Sequence, residues 1–183
     1  MATLEPKIQI AGVLQESVVD GPGLRAVVFF QGCAHHCRGC HNPETWDPKG
    51  GTPLSVSEVW DLLRYNPLIS GVTLSGGEPL DQPQGALALA KKVRAVGGNV
   101  MIYTGYTWEE INAGKVGEIS ELLALTTLLV DGPFMLARKN EKLLFRGSEN
   151  QRLIDVQASL GKKTPVLWKK SGGWMDGLAI TGD

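Results

Sequence analysis

The chain is short of cysteine, of aromatic residues and of long apolar runs. Its 183 residues include three cysteines, and aromatic residues make up 7% of it. An odd number of cysteines cannot all be paired within one chain, which excludes a disulfide framework that uses every cysteine. The longest apolar runs, such as LLALTTLLV, fall far below the ~20 residues of a membrane-spanning helix. We therefore expect no membrane segment.

The chain also lacks an excess of charge of either sign. Its formal net charge is -1. A nucleic acid or another polyanion would need a basic excess, so we expect no such partner. The first residues, MATLEPKIQIAG, do not place an apolar segment after a basic one, which predicts no secretory signal peptide. Together with the odd cysteine count, this predicts a reducing, cytoplasmic location.

What is present is an ordinary globular composition, with 43% hydrophobic and 20% charged residues, and we expect a single domain over 1–183. Runs rich in β-branched and aromatic residues predict strands. The predicted strands are 7–13, 24–30, 71–74, 99–103 and 126–130. Helical segments separate the later ones, and Ser55 and Glu58 have the spacing of a capping box at the start of the first helix.

This alternation predicts the α/β class, with a parallel sheet and right-handed crossovers. The strand–helix units are too few for a closed eight-fold barrel of ~250 residues, and the sheet could be open or curved. After about residue 135 the pattern weakens. We predict two further strands there, at 142–145 and 165–168.

Motifs rich in glycine and polar groups follow four of the predicted strands. The carboxyl ends of parallel strands lie at the same edge of a sheet, so we expect these motifs to converge on one site. They are the cysteine loop from residue 31, SGGEP at 75–79, YTGY at 103–106 and DGPF at 131–134.

The cysteine loop has the pattern C-x3-C-x2-C, formed by Cys33, Cys37 and Cys40. Zinc is one possible occupant, with His35, His36 or His41 as fourth ligand, but structural zinc sites usually draw on two separated pairs. Covalent haem matches the C-x-x-C-H run, yet it needs export and leaves Cys33 unexplained. A third possibility is three free thiols without a function, and their clustering in one loop argues against it. We favour a [4Fe–4S] cluster, in which one iron lacks a protein ligand.

An iron without a protein ligand has a chemical consequence. It is a Lewis acid that an amino acid chelates through its amino nitrogen and its carboxylate. If that amino acid is the methionyl part of S-adenosylmethionine, the sulfonium lies close to the cluster. An electron from the reduced cluster then releases a 5′-deoxyadenosyl radical. The three cysteines thus favour an enzyme whose hard chemistry is carried by cofactors.

Two other motifs carry acidic groups that a cofactor could use. In the second motif, Gly76 and Gly77 allow close backbone approach, and backbone carbonyls or the Glu78 carboxylate could accept from an ammonium group. The alternative is a plain Gly-Gly turn before a helix-starting Glu. Asp131 could contact a cofactor hydroxyl or a cation, and it could equally start a turn. The aromatic residues of YTGY could form a wall for adenine or ribose, or pack into the core.

The motifs together resemble a known family. The C-x3-C-x2-C and GGE loops resemble those of the radical S-adenosylmethionine superfamily, and DGPGLRAVVFFQGC with CHNPETWD resembles the activating enzymes of glycyl radical enzymes. YTGYT, LVDGPF and FRGSENQR resemble the branch that activates anaerobic (class III) ribonucleoside-triphosphate reductases. The resemblance covers residues 8 to 156 and leaves the tail, 159–183, unplaced.

The resemblance implies a partial (βα) barrel, and a [4Fe–4S] cluster bound by the three cysteines. S-adenosylmethionine would lie over Gly39, Cys40 and His41 and over the loop of Gly76, Gly77 and Glu78. The radical would remove a hydrogen atom from a glycine of the reductase, and reduced flavodoxin or ferredoxin would supply electrons. No side chain need act as an acid or a base, because positioning and water exclusion suffice.

The chain departs from the family pattern in places. Many superfamily members carry an aromatic residue before the third cysteine, where this chain has Gly39. Some members of the branch carry Asp in place of Glu78. Further cysteines for a second cluster are absent from the sequence. Three rival functions stay open: activation of a different glycyl radical enzyme, a small radical enzyme acting on a free metabolite, and a zinc-stabilised interaction module.

Overall fold

One mixed sheet organises the protein. The computed structural model describes residues 5–162 and 164–169. Within these residues, the seven strands are β1 (Lys7–Ser17), β2 (Arg25–Phe30), β3 (Thr52–Ser55), β4 (Gly71–Gly76), β5 (Asn99–Tyr103), β6 (Leu128–Asp131) and β7 (Arg152–Asp155). They lie in the spatial order β3-β1-β2-β4-β5-β6-β7.

The helices connect and cover these strands. They are α1 (Val56–Leu63), α2 (Pro83–Ala95), α3 (Trp108–Asn112), α4 (Ser120–Leu125) and α5 (Val156–Lys162). The predicted capping box of α1 is confirmed, because the Ser55 hydroxyl accepts from the Glu58 backbone while the Glu58 side chain accepts from the Ser55 backbone. Thr107 and Glu110 form the same motif at the start of α3. Both helices therefore begin where their side chains satisfy otherwise unpaired N–H groups.

The centre of the sheet confirms the predicted α/β class. Strands β2, β4, β5 and β6 pair in parallel, and helices lie in the connections between them. Parallel neighbours need such long crossovers. The order ends in β3 on one side and β7 on the other, so the sheet is open and does not close into a barrel. An open sheet of this kind is what the family resemblance implies.

The flanking strands pair antiparallel, a feature that the sequence does not reveal. Strand β1 pairs with β2 and β3 in this way, and β7 pairs with β6. The connection between β1 and β2 spans residues 18–24, which is too short for a parallel crossover. Strand β3 includes Pro53, a residue that sheets tolerate at an edge. With four residues each, β3 and β7 are too short to show a clear hydrophobic period.

The predicted strand at 142–145 is wrong. These residues form turns, and Phe145 has a φ of 57°, in the left-handed region that strands do not use. At 165–168, Leu167 forms an isolated bridge with Ile154. Most of the tail that the sequence leaves unplaced, 170–183 with residue 163, lies outside the described residues.

The two faces of the sheet bury different side chains. The helices pack on one face, where Val28, Val72 and Ile102 join a large core. Strand residues that alternate with these point to the other face, as the two-residue period of a strand requires. A smaller cluster on that face consists of Met101, Leu128, Val130 and Leu153.

A buried arginine fixes the turn between β1 and β2 at the amino ends of the parallel strands. Arg25 is 1% exposed. It donates to the Thr73 hydroxyl and the Asn99 side-chain oxygen, both at 2.7 Å, and to the Pro22 carbonyl at 3.3 Å. Burial lowers the pKa of Arg25 to about 10. These bonds hold residues 18–24 against β4 and β5, so that end of the second face is covered.

Within 5–162 and 164–169, no helix combines the length and the apolar character that crossing a bilayer requires.

Candidate functional site

Four loops converge on one cavity at the carboxyl ends of the parallel strands, as their order in the sheet predicts. The cavity has a volume of about 540 Å³. Strands β2, β4, β5 and β6 each contribute the segment that follows them. The lining of the cavity includes Cys33, Cys37, Cys40, Gly77, Gly105 and Phe134. The structure therefore brings together motifs that are up to about a hundred residues apart in the sequence.

The cysteine loop is held in place by backbone hydrogen bonds to the turn that follows it. Gly32 N–H donates to the Thr45 carbonyl at 2.8 Å, and Cys33 N–H donates to the Trp46 carbonyl at 3.1 Å. Cys40 N–H closes a tight turn onto the Cys37 carbonyl at 3.0 Å. This folding places the three free, half-buried thiols along one side of the cavity.

Burial favours the protonated form of two of the thiols, those of Cys33 and Cys37, in the metal-free chain. Burial raises the pKa of Cys33 to about 11, and a hydrogen bond from the backbone of His35 offsets part of this effect. Burial also raises the pKa of Cys37, and the neighbouring Cys40 adds to the increase. Thiolates are the ligands that metals bind, so loading the site must release protons.

The donor set fits an iron–sulfur cluster with an open iron. Thiolates are the usual ligands of such clusters and of zinc. Zinc would need a fourth ligand, and the three histidine rings of the loop each pack elsewhere. His35 lies against Glu78, the ring centroid of His36 lies 5.0 Å from that of Trp46, and that of His41 lies 5.3 Å from that of Phe134. Over the part of the chain that the structure describes, no three His, Cys, Asp or Glu side chains are placed to hold a single metal ion.

Gly76, the last residue of β4, and Gly77 after it allow this segment to touch the cysteine loop. Gly76 has a φ of 91°. A Cβ on Gly77 would lie 2.3 Å from the carbonyl oxygen of Gly32, inside the contact distance of two atoms. Gly77 N–H donates to the Phe30 carbonyl at 2.7 Å, and Glu78 N–H donates to the Gly32 carbonyl at 2.8 Å. The glycines therefore bring backbone groups of two loops side by side at the cavity wall.

The Glu78 carboxylate lies at the junction of three loops. It is 1% exposed. Its Oε1 accepts from Leu80 N–H at 3.0 Å and from the Thr104 hydroxyl at 2.9 Å. Its Oε2 accepts from Gly105 N–H at 2.8 Å and lies 3.2 Å from Nε2 of His35. The hydrogen bond to Glu78 raises the pKa of His35. Both oxygens are thus engaged within the protein.

Asp131 is similarly engaged. Its carboxylate is 1% exposed and accepts from the backbone N–H of Trp108 at 2.8 Å. It also accepts from Nε of Arg152 at 3.0 Å and from Nη2 of the same residue. Arg152 in turn donates to both oxygens of Glu109, at 3.0 and 2.7 Å. The carboxylate ties β6 to β7 and to α3, while the next residue, Gly132, lines the cavity. A contact between Asp131 and a cofactor stays a prediction.

Residues beyond the four predicted motifs also line the cavity. Phe145 and Arg146 are two of them, and they come from the connection after β6, as does Phe134 of the DGPF motif. The Tyr103 hydroxyl donates to the Phe145 carbonyl at 2.7 Å, and Arg146 donates to the Gln151 carbonyl at 2.9 Å. Their signal lay in the family-like stretches LVDGPF and FRGSENQR, which indicate the branch without saying which side chains reach the site.

Comparisons with known proteins give matches over most of the chain. Residues 19–154 match the family model described as a 4Fe-4S single cluster domain. The chain is 36% identical over 143 residues to the anaerobic ribonucleoside-triphosphate reductase-activating protein of Escherichia coli (strain K12), covering 73% of this chain and 90% of that protein. The protein of the same name from Enterobacteria phage T4 is 35% identical over 144 residues, covering 74% and 86%. The pyruvate formate-lyase-activating enzyme of Clostridium pasteurianum is 39% identical over 128 residues, covering 67% and 50%.

Proposed function

Because this chain belongs to the 4Fe-4S family that includes the anaerobic ribonucleoside-triphosphate reductase-activating proteins, we propose that it installs the glycyl radical of such a reductase. The observation that carries the proposal is the convergence of the three thiols and the Gly-Gly loop on one cavity. The family match also favours a cluster over zinc at the three cysteines. The chain is thus a radical S-adenosylmethionine enzyme and an oxidoreductase.

The cofactors supply the chemistry, and the chain supplies their binding and enclosure. A reduced [4Fe–4S] cluster and S-adenosylmethionine, when bound, would supply radical chemistry: one electron would split the cofactor into methionine and a 5′-deoxyadenosyl radical, which would become 5′-deoxyadenosine on taking a hydrogen atom from a glycine of the partner. Cys33, Cys37 and Cys40 hold the cluster. The loop of Gly39, Cys40 and His41 and the loop of Gly76, Gly77 and Glu78 both line the cavity and would hold S-adenosylmethionine.

Enclosure follows from the surroundings of the site. Phe134 and Phe145 present apolar surface to the cavity, and Tyr103 is bonded to the Phe145 backbone. An apolar wall keeps water away from a reactive radical. No acid or base is required of the protein, because transfer of a hydrogen atom moves no separate proton. The work of these residues is therefore positioning and exclusion of water.

The test begins with the metal content. Anaerobic reconstitution with iron and sulfide should give a brown protein with equal amounts of iron and labile sulfide. Cys33→Ala, Cys37→Ala and Cys40→Ala should each lose the colour. With a strong reductant, the wild-type protein should convert S-adenosylmethionine to 5′-deoxyadenosine, and with the reductase it should produce a glycyl radical signal in electron paramagnetic resonance (EPR). A colourless protein that binds one zinc ion with the same three cysteines would refute the proposal.

Activation of a different glycyl radical enzyme is the second candidate. The 39% identity to a pyruvate formate-lyase-activating enzyme favours it, although this chain covers half of that protein. Offering the loaded protein a reductase and a formate-lyase side by side separates the two candidates, because the glycyl radical should appear on one of them. A radical on the formate-lyase alone would replace the first candidate by the second.

Two finer predictions belong to this proposal. The electron donor is a reduced flavodoxin or ferredoxin, as the family resemblance implies. The location is cytoplasmic, as the odd cysteine count predicts. Reduction of the loaded protein by each candidate donor, followed by its visible spectrum under anaerobic conditions, tests the first.

A further inference from the structure

His35 lies between two cysteines of the metal loop, yet its ring contacts two other loops. Nε2 lies 3.2 Å from Oε2 of Glu78. The ring also meets Tyr106 edge to face, with centroids 4.6 Å apart and an interplanar angle of 72°. A Cβ on Gly105 would lie 2.4 Å from its Cδ2, so the backbone there packs directly on the imidazole. His35 therefore joins the cysteine loop to the loops after β4 and β5.

The acceptor that His35 uses is already shared by three other donors. Leu80, Thr104 and Gly105 donate to the same carboxylate at 2.8 to 3.0 Å. A carboxylate offers about four acceptor positions, so those of Glu78 are filled from within the protein. A cofactor ammonium could bond to Glu78 only by displacing one of these donors. The donor from the cysteine loop is His35, and its loss would detach that loop from the junction.

We propose that His35 is a positioning residue that fixes the distance between the thiols of the cysteine loop and the Gly76–Gly77 backbone. This inference rests on the proposed function, because the distance matters when one ligand spans both loops. Glu78 then acts through loop geometry, which would leave backbone carbonyls to accept from the ammonium group of the cofactor. Hydrogen bonds to a charged acceptor are stronger than those between neutral groups. Such a bond suits a contact that holds two loops at a fixed distance.

The test uses three variants of the full chain, each reconstituted with iron and sulfide. His35→Phe keeps an aromatic ring against Tyr106 and removes the N–H donor. His35→Gln keeps a donor of similar reach. His36→Asn is the matched control, because His36 packs on Trp46 and has a φ of 45°, a conformation that Asn tolerates. The readouts are the iron content and the Kd for S-adenosylmethionine, taken from the EPR change of the reduced cluster.

We expect His35→Phe to retain the wild-type iron content, since all three cysteines remain. Its Kd should rise about ten- to a hundredfold, the range for loss of one hydrogen bond to a charged group. His35→Gln should restore most of the affinity, and His36→Asn should match the wild type. A merely structural role would lower the iron content and the affinity together and would not be rescued by Gln.

Three results would overturn the inference. One is an unchanged Kd in His35→Phe. Another is loss of iron in His35→Phe to the level of Cys33→Ala, which would assign the residue to cluster assembly. The third comes from thermal unfolding of the metal-free chain. If the destabilisation of the double variant equals the sum of those of His35→Phe and Glu78→Gln, the two side chains are not coupled. If the wild-type cluster shows no response to S-adenosylmethionine, the proposed function fails as well, and that outcome is distinct from a normal response in His35→Phe.

Discussion

The contact between Gly77 and the cysteine loop gives a sharp test of how the site is built. A Cβ at this position would lie 2.3 Å from the Gly32 carbonyl oxygen and 2.9 Å from the carbonyl carbon. Both atoms belong to the backbone, so no side-chain rotation relieves the overlap. The hydrogen bonds from Gly77 to Phe30 and from Glu78 to Gly32 hold the two segments at this distance. Gly77→Ala must therefore push the loops apart.

The expected cost follows from these contacts. Overpacking of a tight site costs about 1–3 kcal/mol, and weakening one backbone hydrogen bond adds about 1 kcal/mol. In a chain of this length each kcal/mol lowers the melting temperature by about 2–4 °C. We therefore expect Gly77→Ala to unfold about 4–16 °C earlier than the wild type. The control is Gly12→Ala, since a Cβ on Gly12 meets no atom within 4 Å; its stability should change by less than about 0.5 kcal/mol.

Thermal unfolding of the metal-free chains, followed by circular dichroism, measures both variants without any dependence on cofactor loading. The reasoning fails if Gly77→Ala melts within a degree or so of Gly12→Ala, because then the loops are not held at the distance that excludes a Cβ. A second readout is available in the loaded protein. There, Gly77→Ala should weaken S-adenosylmethionine binding, as separated loops no longer fit one ligand.

Three further predictions concern charge and protonation. Arg152→Met leaves the buried Asp131 carboxylate without its cation and should lower the free energy of unfolding in urea by about 3–5 kcal/mol. Glu109→Gln removes an exposed partner of Arg152 and should lower it by less than about 1 kcal/mol. Equal losses would contradict the burial argument. Burial raises the pKa of Tyr106 to about 12, above its unfolded value of about 10. The unfolded chain therefore loses this proton first, so stability should fall as the pH rises from about 10 to about 12. The fall should be less steep in Tyr106→Phe. Burial also raises the pKa of Cys33 to about 11 from its ordinary value of 9.0. This thiol in the folded, metal-free chain should therefore react with a disulfide reagent about a hundredfold more slowly than in the unfolded chain; equal rates would show that the thiol is not shielded.

The sequence predicts those parts of the protein that local patterns determine. The parallel strands are visible because each is a short apolar run ended by glycine, and the cysteines are visible by their spacing. The strand ends also show that Glu78 and Asp131 lie at the edge of the sheet. Whether their oxygens are free cannot be read there, because the partners are distant: Arg152 follows Asp131 by 21 residues, and His35 precedes Glu78 by 43. Tertiary contacts alone decide which lone pairs remain for a ligand.

Position 39 is a second place where the sequence alone does not show how the site is built. A glycine there looks like the loss of the aromatic residue that many superfamily members carry before the third cysteine. In the structure a Cβ on Gly39 would lie 3.0 Å from Cδ1 of Leu136 and 3.4 Å from Cε1 of Phe134. Phe134 also lines the cavity, so an aromatic ring beside the third cysteine is still present, supplied from the loop after β6. Restoring an aromatic residue at 39 would meet both that packing and a φ of 78°, which disfavours any side chain. The cysteine loop and the loop after β6 thus pack against each other, and a motif confined to one of them describes only part of the cavity wall.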